Sequence, residues 1–497
     1  MSATVEQRIN PADLPAACKE VLRKGGRMQM AYAWYPEPDA APEILYLADQ
    51  GPHEPFLTFR CALPSLTTHL PSLAAVSPLL GWYEREIRDL FGVEFEDSPE
   101  PYPLVLHEGA TPPFPPLDPR YQPAEVMPFV PSVWRLPEIQ GQDVQRLPFG
   151  PIRADVLETA QIVFYYVGEA ILHCHPQLFF KHRGMEKRFE GLTPDMGVLL
   201  AERVSGVGSV AHSLAFCQAV EEGCDCVAPL RAQYLRVILA ELERLYNHLH
   251  YLGHLCHTTT LKVGEAEGKL LEERAKQINS AFTGSRFLRS LLTPGGLRRD
   301  IDVSGLGRQL DELKIEIDGY TVGLERTNSH LDRLMTTGPL PQQVAFDEGA
   351  TGPIKRASGI DRDLRRDHPY AAYGLLNVRV PVKTDGDAHA RAQVRMEEID
   401  SSIDLIQQAL AQLPVGSIRA EVKIRQGAEG LGWTESPRGT IYYAVHFTGP
   451  GRLARVKVKS PSFSNWRVFP FTVHDTNMMD YAINEASFGL TMAGCDR

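Results

Sequence analysis

The sequence predicts an α+β protein: a small N-terminal α+β domain followed by a large, mainly helical domain with small β-sheets. Three observations carry this expectation. Residues 11–95 switch between helical and strand patterning over short distances. Prolines then crowd the stretch from 97 to about 148. Beyond Leu147, long segments of helical period dominate, with strand-like segments again at 416–459. A chain of 497 residues has room for about two to four domains. The boundaries read here are 1–97, 98–146 and 147–497.

In chain order, PADLPAACKEVLRKG has a proline start and helical spacing; RMQMAYAWY, EILYLA and FLTFRCAL are rich in strand formers. PSLAAVSPLLGWYEREIRDLFG returns to helix. The proline-rich stretch that follows is expected to be extended and draped over a surface. PFGPIRADVLETAQIVFYYVGEAILHCHPQLF predicts a strand pair. Helices are expected over 196–222, 229–257, 265–283, 304–335 and 389–412, and a last one over 466–482. The 229–257 segment shows the period best: Leu230, Tyr234, Ile238, Leu242, Leu245, Leu249 and Leu252 form one stripe.

Composition narrows the function. A net charge of −11 argues against nucleic acid as a partner, because a phosphate-binding face needs a basic stripe. No apolar run is long enough to span a bilayer. The N-terminus lacks the basic start and apolar core of a signal peptide, so the chain reads as cytoplasmic. Eight cysteines are scattered without a Cys-x-x-Cys pair and read as free thiols. Cys224 and Cys226 are the tightest pair, with no second pair nearby to complete a metal site. His250, His254 and His257 share a helical face, which reads either as a zinc-binding arrangement or as a plain polar face. Gly206-x-Gly208 is not a dinucleotide loop, since no strand leads into it and a third glycine is missing.

Several phrases carry a more specific signal: HRGMEK (182–187), ERVSGVGSVAHS (202–213), PLRAQYLRVILAELERLYNHLHYLG (229–253), TPGGLRRD (293–300), GPIKRASGIDRDLRRDHPYAAY (352–373), SPRGTIYY (436–443) and the final CDR. In this order they resemble the large subunit of membrane-bound, energy-converting nickel–iron hydrogenases, of the formate hydrogenlyase and hydrogenase-4 type. The same fold is shared with the 49 kDa-type subunit of complex I. GWYEREIRDLFGVEF (81–95) resembles the complex I 30 kDa-type subunit, which some of these proteins carry fused in front.

The departure lies where the metal chemistry should be. The hydrogenase pattern Arg-x-Cys-Gly-x-Cys-x-x-x-His is here Arg203 to His212, with Ser205 and Gly208 in place of cysteine. The C-terminal pattern Asp-Pro-Cys-x-x-Cys-x-Asp-Arg is here Gly489 to Arg497, with Thr491 and Gly494 at the thiolate positions and Cys495 one place off. Thiolates hold such a soft metal pair; hydroxyls and glycine do not. The nickel–iron centre is therefore expected to be absent, and hydrogenase activity with it. The sequence also ends at Arg497, without the extension that metal-bearing relatives lose after nickel insertion.

The resemblance assigns roles to the polar residues that stay. Glu186 matches a proton-relaying glutamate, or else pairs with Arg183 or Lys187. His212 matches the histidine after the cysteine pair, or else is a satisfied core histidine. Arg438 matches the arginine poised over the metal, where a guanidinium is suited to grip a carbonyl or carboxylate. Arg203, Asp496 and Arg497 line the cofactor position or form a structural ion cluster. The complex I precedent makes a quinone-like acceptor the candidate occupant, although two usual quinone contacts are missing: the loop at 150–161 lacks histidines, and no tyrosine stands near Thr193-Pro194. The implied partners are an iron–sulfur small subunit, membrane antiporter-like and anchor subunits, and an NAD- or formate-oxidising module. The implied location is the cytoplasmic face of the membrane. The alternative is a non-catalytic subunit that docks the iron–sulfur partner onto a membrane ion transporter.

Overall fold

The computed structural model describes residues 4–63, 65, 69–122, 128–131, 135–153, 158–449, 451–474 and 476–497. The N-terminal module is a four-stranded sheet of order β1-β4-β3-β2, with β1 (Thr4–Arg8) parallel to β4 (Phe56–Ala62) and with β2 (Arg27–Trp34) and β3 (Glu43–Asp49) antiparallel. Helices α1 (Leu14–Arg23) and α2 (Leu80–Phe91) accompany it, and a short parallel pairing joins β5 (Leu70–Pro71) to β6 (Phe95–Glu96). Strand β2 is buried along nearly its whole length. β3 is buried through its middle, whereas β1 at the sheet edge is mostly exposed. Tyr32 shares a 3.1 Å hydrogen bond with His446, Trp34 stacks on that imidazole at 4.3 Å, and Phe56 stacks on His368 at 4.2 Å.

The second part opens with an antiparallel sheet of β7 (Gln145–Phe149), β8 (Gln161–Val167) and β9 (Ala170–Gln177). Helices α3 (Met185–Phe189), α4 (Pro194–Ala201), α5 (Ser209–Gly223), α6 (Leu230–Thr258) and α7 (Lys262–Thr283) follow. After a small β10–β11 ribbon (Leu292–Thr293, Gly296–Leu297) come α8 (Leu306–Leu324), α9 (Asn328–Leu334), α10 (Gln342–Asp347), α11 (Pro353–Ala357), α12 (Leu364–Asp367) and α13 (Ala388–Gln412). Strands β12 (Glu429–Ser436), β13 (Gly439–Thr448) and β14 (Arg452–Lys459) form an antiparallel sheet, and α14 (Pro461–Val468), α15 (Tyr481–Phe488) and α16 (Met492–Asp496) end the chain.

Helix α6 is the axis of the bundle. It packs on α7 and α13, and the expected stripe is buried except at Leu230, by the helix start. Glycine sets two of the closest approaches. A Cβ on Gly268 of α7 would sit 2.7 Å from Gly253 Cα of α6. A Cβ on Gly432 of β12 would sit 2.0 Å from the Ala215 carbonyl of α5. Any side chain there would push a whole element away.

Three of the expected helices are each divided. The 196–222 stretch breaks at 202–208, the 304–335 stretch at 325–327, and the 466–482 stretch is α-helical only to Val468, where the 3-10 turn Phe469–Thr472 takes over at Pro470, whose ring cannot continue an α-helix. Residues 416–428 are not strand. Residues 102–106 of the proline-rich stretch lie against α2, and residues 123–127 and 132–134 of that stretch lie outside the described residues. Asp89 accepts the amides of Leu104, Val105 and Leu106 at 2.7–3.1 Å, and Arg85 donates to the Tyr102 and Pro103 carbonyls at 3.0 and 2.8 Å.

A buried ion network fastens the N-terminal module to the rest. Glu86 of α2 accepts from Lys457 Nζ at 2.6 Å and from Arg497 Nη2 at 2.7 Å. Glu186 of α3 accepts from Arg455 Nη2 at 2.6 Å, Arg497 Nη1 at 3.1 Å and the Val458 amide at 3.1 Å, and Lys457 Nζ lies 3.2 Å away. Burial opposes the charge on Glu186, but Lys457, Arg455 and Arg497 hold its carboxyl well below the usual range. The motif segments GWYEREIRDLFG, HRGMEK and CDR thus meet at one point.

Candidate functional site

Between α4 and α5 the chain forms the loop 202–208, and other segments hold it there. Arg183 donates to the Arg203 and Val204 carbonyls at 3.0 and 2.7 Å and to the Ala493 carbonyl at 2.8 Å. It thereby ties the loop to the C-terminal segment. Asn247 of α6 donates to the Val207 carbonyl at 2.8 Å, and Tyr246 does so at 3.3 Å. These long-range donors satisfy carbonyls that a continuous helix would have used internally.

Below the loop, Glu243 accepts the Val210 and Ala211 amides at 2.6 and 3.0 Å, capping the start of α5. Burial pushes its carboxyl up to about 7 despite those donors. Opposite, Glu158 accepts the Met492 and Ala493 amides and receives Lys181 Nζ at 3.1 Å. The result is a cleft of about 530 Å³ whose lining includes Ser205, Asn247, His250, Tyr251, Arg438 and Thr491.

Arg438 sits in the turn between β12 and β13 and reaches into this cleft. Its Nε donates to the Gly489 carbonyl at 2.8 Å and its Nη1 to Asn247 Oδ1 at 2.6 Å. Burial lowers its pKa to about 10, so the guanidinium stays charged at neutral pH. Two of its nitrogens are therefore fixed by the protein, and Nη2 has no hydrogen-bond partner among the described residues. Arg395 lies beside it, stacked over Tyr251 at 3.8 Å and donating to the Phe488 carbonyl at 2.9 Å.

The other site residues expected from sequence fall elsewhere. Glu186 does not line the cleft; it pairs with Arg455, Lys457 and Arg497, not with Arg183 or Lys187, and Lys187 pairs with Glu190 instead. His212 is buried behind the loop, its Nδ1 3.0 Å from the Tyr443 hydroxyl. Arg203 points outward and is separate from any cluster with Asp496 and Arg497. Asp496 accepts the Lys181 amide at 2.9 Å, and burial raises its carboxyl to about 6. Arg497 joins the Glu86–Glu186 network. On the exposed face of α6, His250 and His257 lie 3.0 Å from Glu272 and Glu265, with His254 stacked between them at 6.3 and 6.1 Å. No group of three histidine, cysteine or carboxylate donors suited to a metal forms among the described residues. In the loop at 150–161, residues 154–157 lie outside the described residues.

The four thiolate positions do converge on this region, but their side chains do not suit a soft metal pair. Thr491 Oγ1 is engaged in capping the Gly494 amide at 3.1 Å and lies 3.3 Å from Ser462 Oγ. A Cβ at Gly494 would come within 2.6 Å of that hydroxyl, and one at Gly208 within 3.3 Å of the His212 ring. Two hydroxyls and two hydrogens offer no thiolate set. The thiol of Cys495 is buried outside the cleft lining, and burial keeps it protonated.

His212 gives a pH prediction. Burial drives its pKa down to about 3, whereas the unfolded chain returns it to about 6.5. The folded state holds it neutral, so acidification favours unfolding from the unfolded pKa downward. Between pH ~7.5 and ~5 the wild type is expected to lose about 2 kcal/mol more stability than His212→Gln, whose side chain takes up no proton on unfolding. Urea unfolding of both proteins at the two pH values measures this; parallel losses would disprove it.

Comparison with known proteins agrees with the geometry. The family described as respiratory-chain NADH dehydrogenase, 49 Kd subunit, matches residues 270–429 and 423–497; the 30 Kd subunit family matches 8–125; and nickel-dependent hydrogenase matches 183–283. Formate hydrogenlyase subunit 5 of Escherichia coli is 30% identical over 446 residues, covering 86% of this chain and 76% of the relative. The C/D subunit of NADH-quinone oxidoreductase from Rhodopseudomonas palustris is 28% identical over 497 residues, covering 89% and 84%. The D 1 subunit of NADH-quinone oxidoreductase from Chloroherpeton thalassium is 31% identical over 386 residues, covering 71% and 87%.

Sequence asked for a metal-site scaffold with a 30 kDa-type module in front, and the fold supplies both. The chain belongs to the oxidoreductase family that unites nickel-dependent hydrogenase large subunits with the 49 kDa-type subunits of NADH dehydrogenase, in its form fused to a 30 kDa-type module.

Proposed function

We propose that this chain is the acceptor-binding subunit of a membrane-attached electron-transfer complex, and that a quinone-like molecule occupies the cleft where hydrogenase relatives carry metal. The observation that carries this reading is the cleft itself. It is about 530 Å³, within the usual range for a small-molecule site, and Arg438 is fixed at it with one nitrogen uncommitted. The similarity to formate hydrogenlyase subunit 5 and to the C/D protein of NADH-quinone oxidoreductase supports an iron–sulfur protein as electron donor and membrane subunits as anchors. Among the described residues, no helix is long and apolar enough to cross a membrane.

Reduction of a quinone takes two electrons and two protons, one proton to each carbonyl oxygen. An iron–sulfur cluster of a partner subunit would supply the two electrons. Arg438 holds one carbonyl oxygen by a charge-assisted hydrogen bond that strengthens as negative charge grows there. Protons enter from the solvent side, where His250 and His254 form part of the cleft lining. Glu186 and His212 take structural roles in this reading, the first in the inter-module ion network and the second behind the loop.

A photoreactive short-chain quinone applied to the purified complex tests the assignment. Label is expected in the 205–208 and 489–493 segments and should disappear when excess unlabelled quinone is added. Competed label on another subunit, with this chain unmodified in an intact complex, would sink the reading and favour the docking role.

A further inference from the structure

A second pocket lies at the seam between the N-terminal module and the helical part, away from the cleft. It is small, about 40 Å³, and its lining includes Arg27 and Gln29 of β2, Lys355 of α11, Arg362, and Tyr442 of β13. What distinguishes it is an excess of donors. Lys355 is 4% exposed, and its ammonium has no hydrogen bond or ion pair among the described residues. Arg362 Nη1 and the Tyr442 hydroxyl are both buried without a partner. Arg27 is buried, gives one N–H to the Ala350 carbonyl at 2.9 Å and rests over the Phe346 ring.

The carboxylates at this pocket are engaged elsewhere. Asp49 accepts the Gly51 amide at 2.9 Å and faces His368 at 3.2 Å. Asp363 is held by Arg365 at 2.8 Å and Arg356 at 3.2 Å. Asp367 is held by Arg366 at 2.8 Å and by the Asp363 amide at 2.9 Å. Burial lowers Lys355 to about 8, so it still carries its proton at neutral pH. The neighbouring Lys459 is pushed well below the usual lysine range by burial and gives a hydrogen bond to Thr440 at 2.6 Å.

A buried guanidinium nitrogen and a buried hydroxyl without acceptors, beside the unpaired ammonium of a lysine only 4% exposed, are costly, and folded proteins resolve this by pairing. Here the pocket is too small for another side chain, but its volume holds a group the size of a few water molecules. Lysine, arginine and tyrosine O–H are all donors suited to a tetrahedral oxyanion, the arginine with its planar fork and the lysine as a point charge. We infer that this pocket binds a phosphate-class inorganic oxyanion, held by Lys355, Arg362, Tyr442 and Arg27, which clamps the N-terminal module onto the helical part. The site is independent of the quinone-like reading and survives its failure.

Titration calorimetry on the whole chain, freed of oxyanions and held at constant ionic strength, tests this with inorganic phosphate as the probe. Saturable one-to-one binding is expected, with a phosphate-dependent rise in thermal midpoint that chloride does not reproduce. Arg362→Gln is the informative variant, because Arg362 is only partly buried and its side chain makes no ion pair among the described residues. It should bind at least tenfold more weakly, and Lys355→Met should do the same. Absence of saturable binding, an equal effect of chloride, or unchanged affinity in Arg362→Gln would each overturn the proposal. So would binding of a nucleoside monophosphate without binding of free phosphate, since that would place the anion on a larger ligand than the pocket admits.

Discussion

Glu398→Gln is expected to cost about 3–5 kcal/mol of stability, the usual cost of removing one charge from a buried ion network. Glu398 stands on α13 at the centre of a fully buried charge network. One of its oxygens accepts Arg356 Nε at 3.1 Å and also Arg356 Nη2; the other accepts Arg244 Nη1 at 3.2 Å and lies 2.8 Å from His248 Nε2. The surrounding acids are already committed. Glu435 receives Arg356 at 2.8 Å, Asp363 receives Arg365 at 2.8 Å, and Glu241 receives Arg244 at 3.0 Å and Arg365 at 3.2 Å. Burial opposes the charge on Glu398, yet Arg356, His248 and Arg244 keep its carboxyl well below the usual range. An amide keeps the shape and loses the charge, so Arg356 and Arg244 each lose a partner that nothing nearby replaces. Urea unfolding followed by tryptophan fluorescence measures the loss. A difference under about 1 kcal/mol would mean that the remaining acids suffice, which is not expected of a desolvated network.

Arg438→Gln is expected to slow acceptor reduction by about 10²–10³-fold, the range seen when a single donor to developing negative charge is removed. The complex should assemble normally, because Arg438 lies at a turn and is outside the buried charge network. Arg438→Lys separates charge from geometry. A lysine keeps the positive charge but lacks the planar fork that binds the Gly489 carbonyl and Asn247 together. It should recover only part of the rate. Turnover unchanged in Arg438→Gln would show that this guanidinium merely braces the turn, and the quinone-like assignment would lose its main residue.

Much of the fold was legible because its causes are local. The α6 stripe from Leu230 to Leu252 shows a helical period, although the period did not record that the polar side of this helix, with Arg236, Glu241, Glu243 and Arg244, is buried as well. The proline-rich stretch removes backbone donors and fixes φ, so it reads as extended whatever it touches. The absence of thiolates at Ser205, Gly208, Thr491 and Gly494 is a matter of residue identity alone. The failure over 466–482 has a local cause in Pro470, but in the site region partners distant in sequence decided the outcome. The helix expected over 196–222 breaks because Arg183 and Asn247 claim carbonyls of the 202–208 loop.

The same division holds for the site. Missed residues such as Asn247, Glu158 and Arg183 are polar side chains in ordinary settings, and only their placement brings them to the cleft or to the loop beside it. The HLH in NHLHYLG gave a hint, since His248 faces inward to Glu398 while His250 faces the cleft. Glu186 was expected to relay protons or to pair with its near neighbours Arg183 or Lys187. Its partners lie more than 260 residues later, on β14 and at Arg497, and no local pattern records them. Sequence by itself determined the family, the helical core and the lack of cysteine at the four thiolate positions, because residue identity and periodicity are written residue by residue. Tertiary structure alone decided which charges are paired, which donors are left over, and which arginine faces the cleft, because electrostatic pairing in a buried interior depends on distance in space and not along the chain.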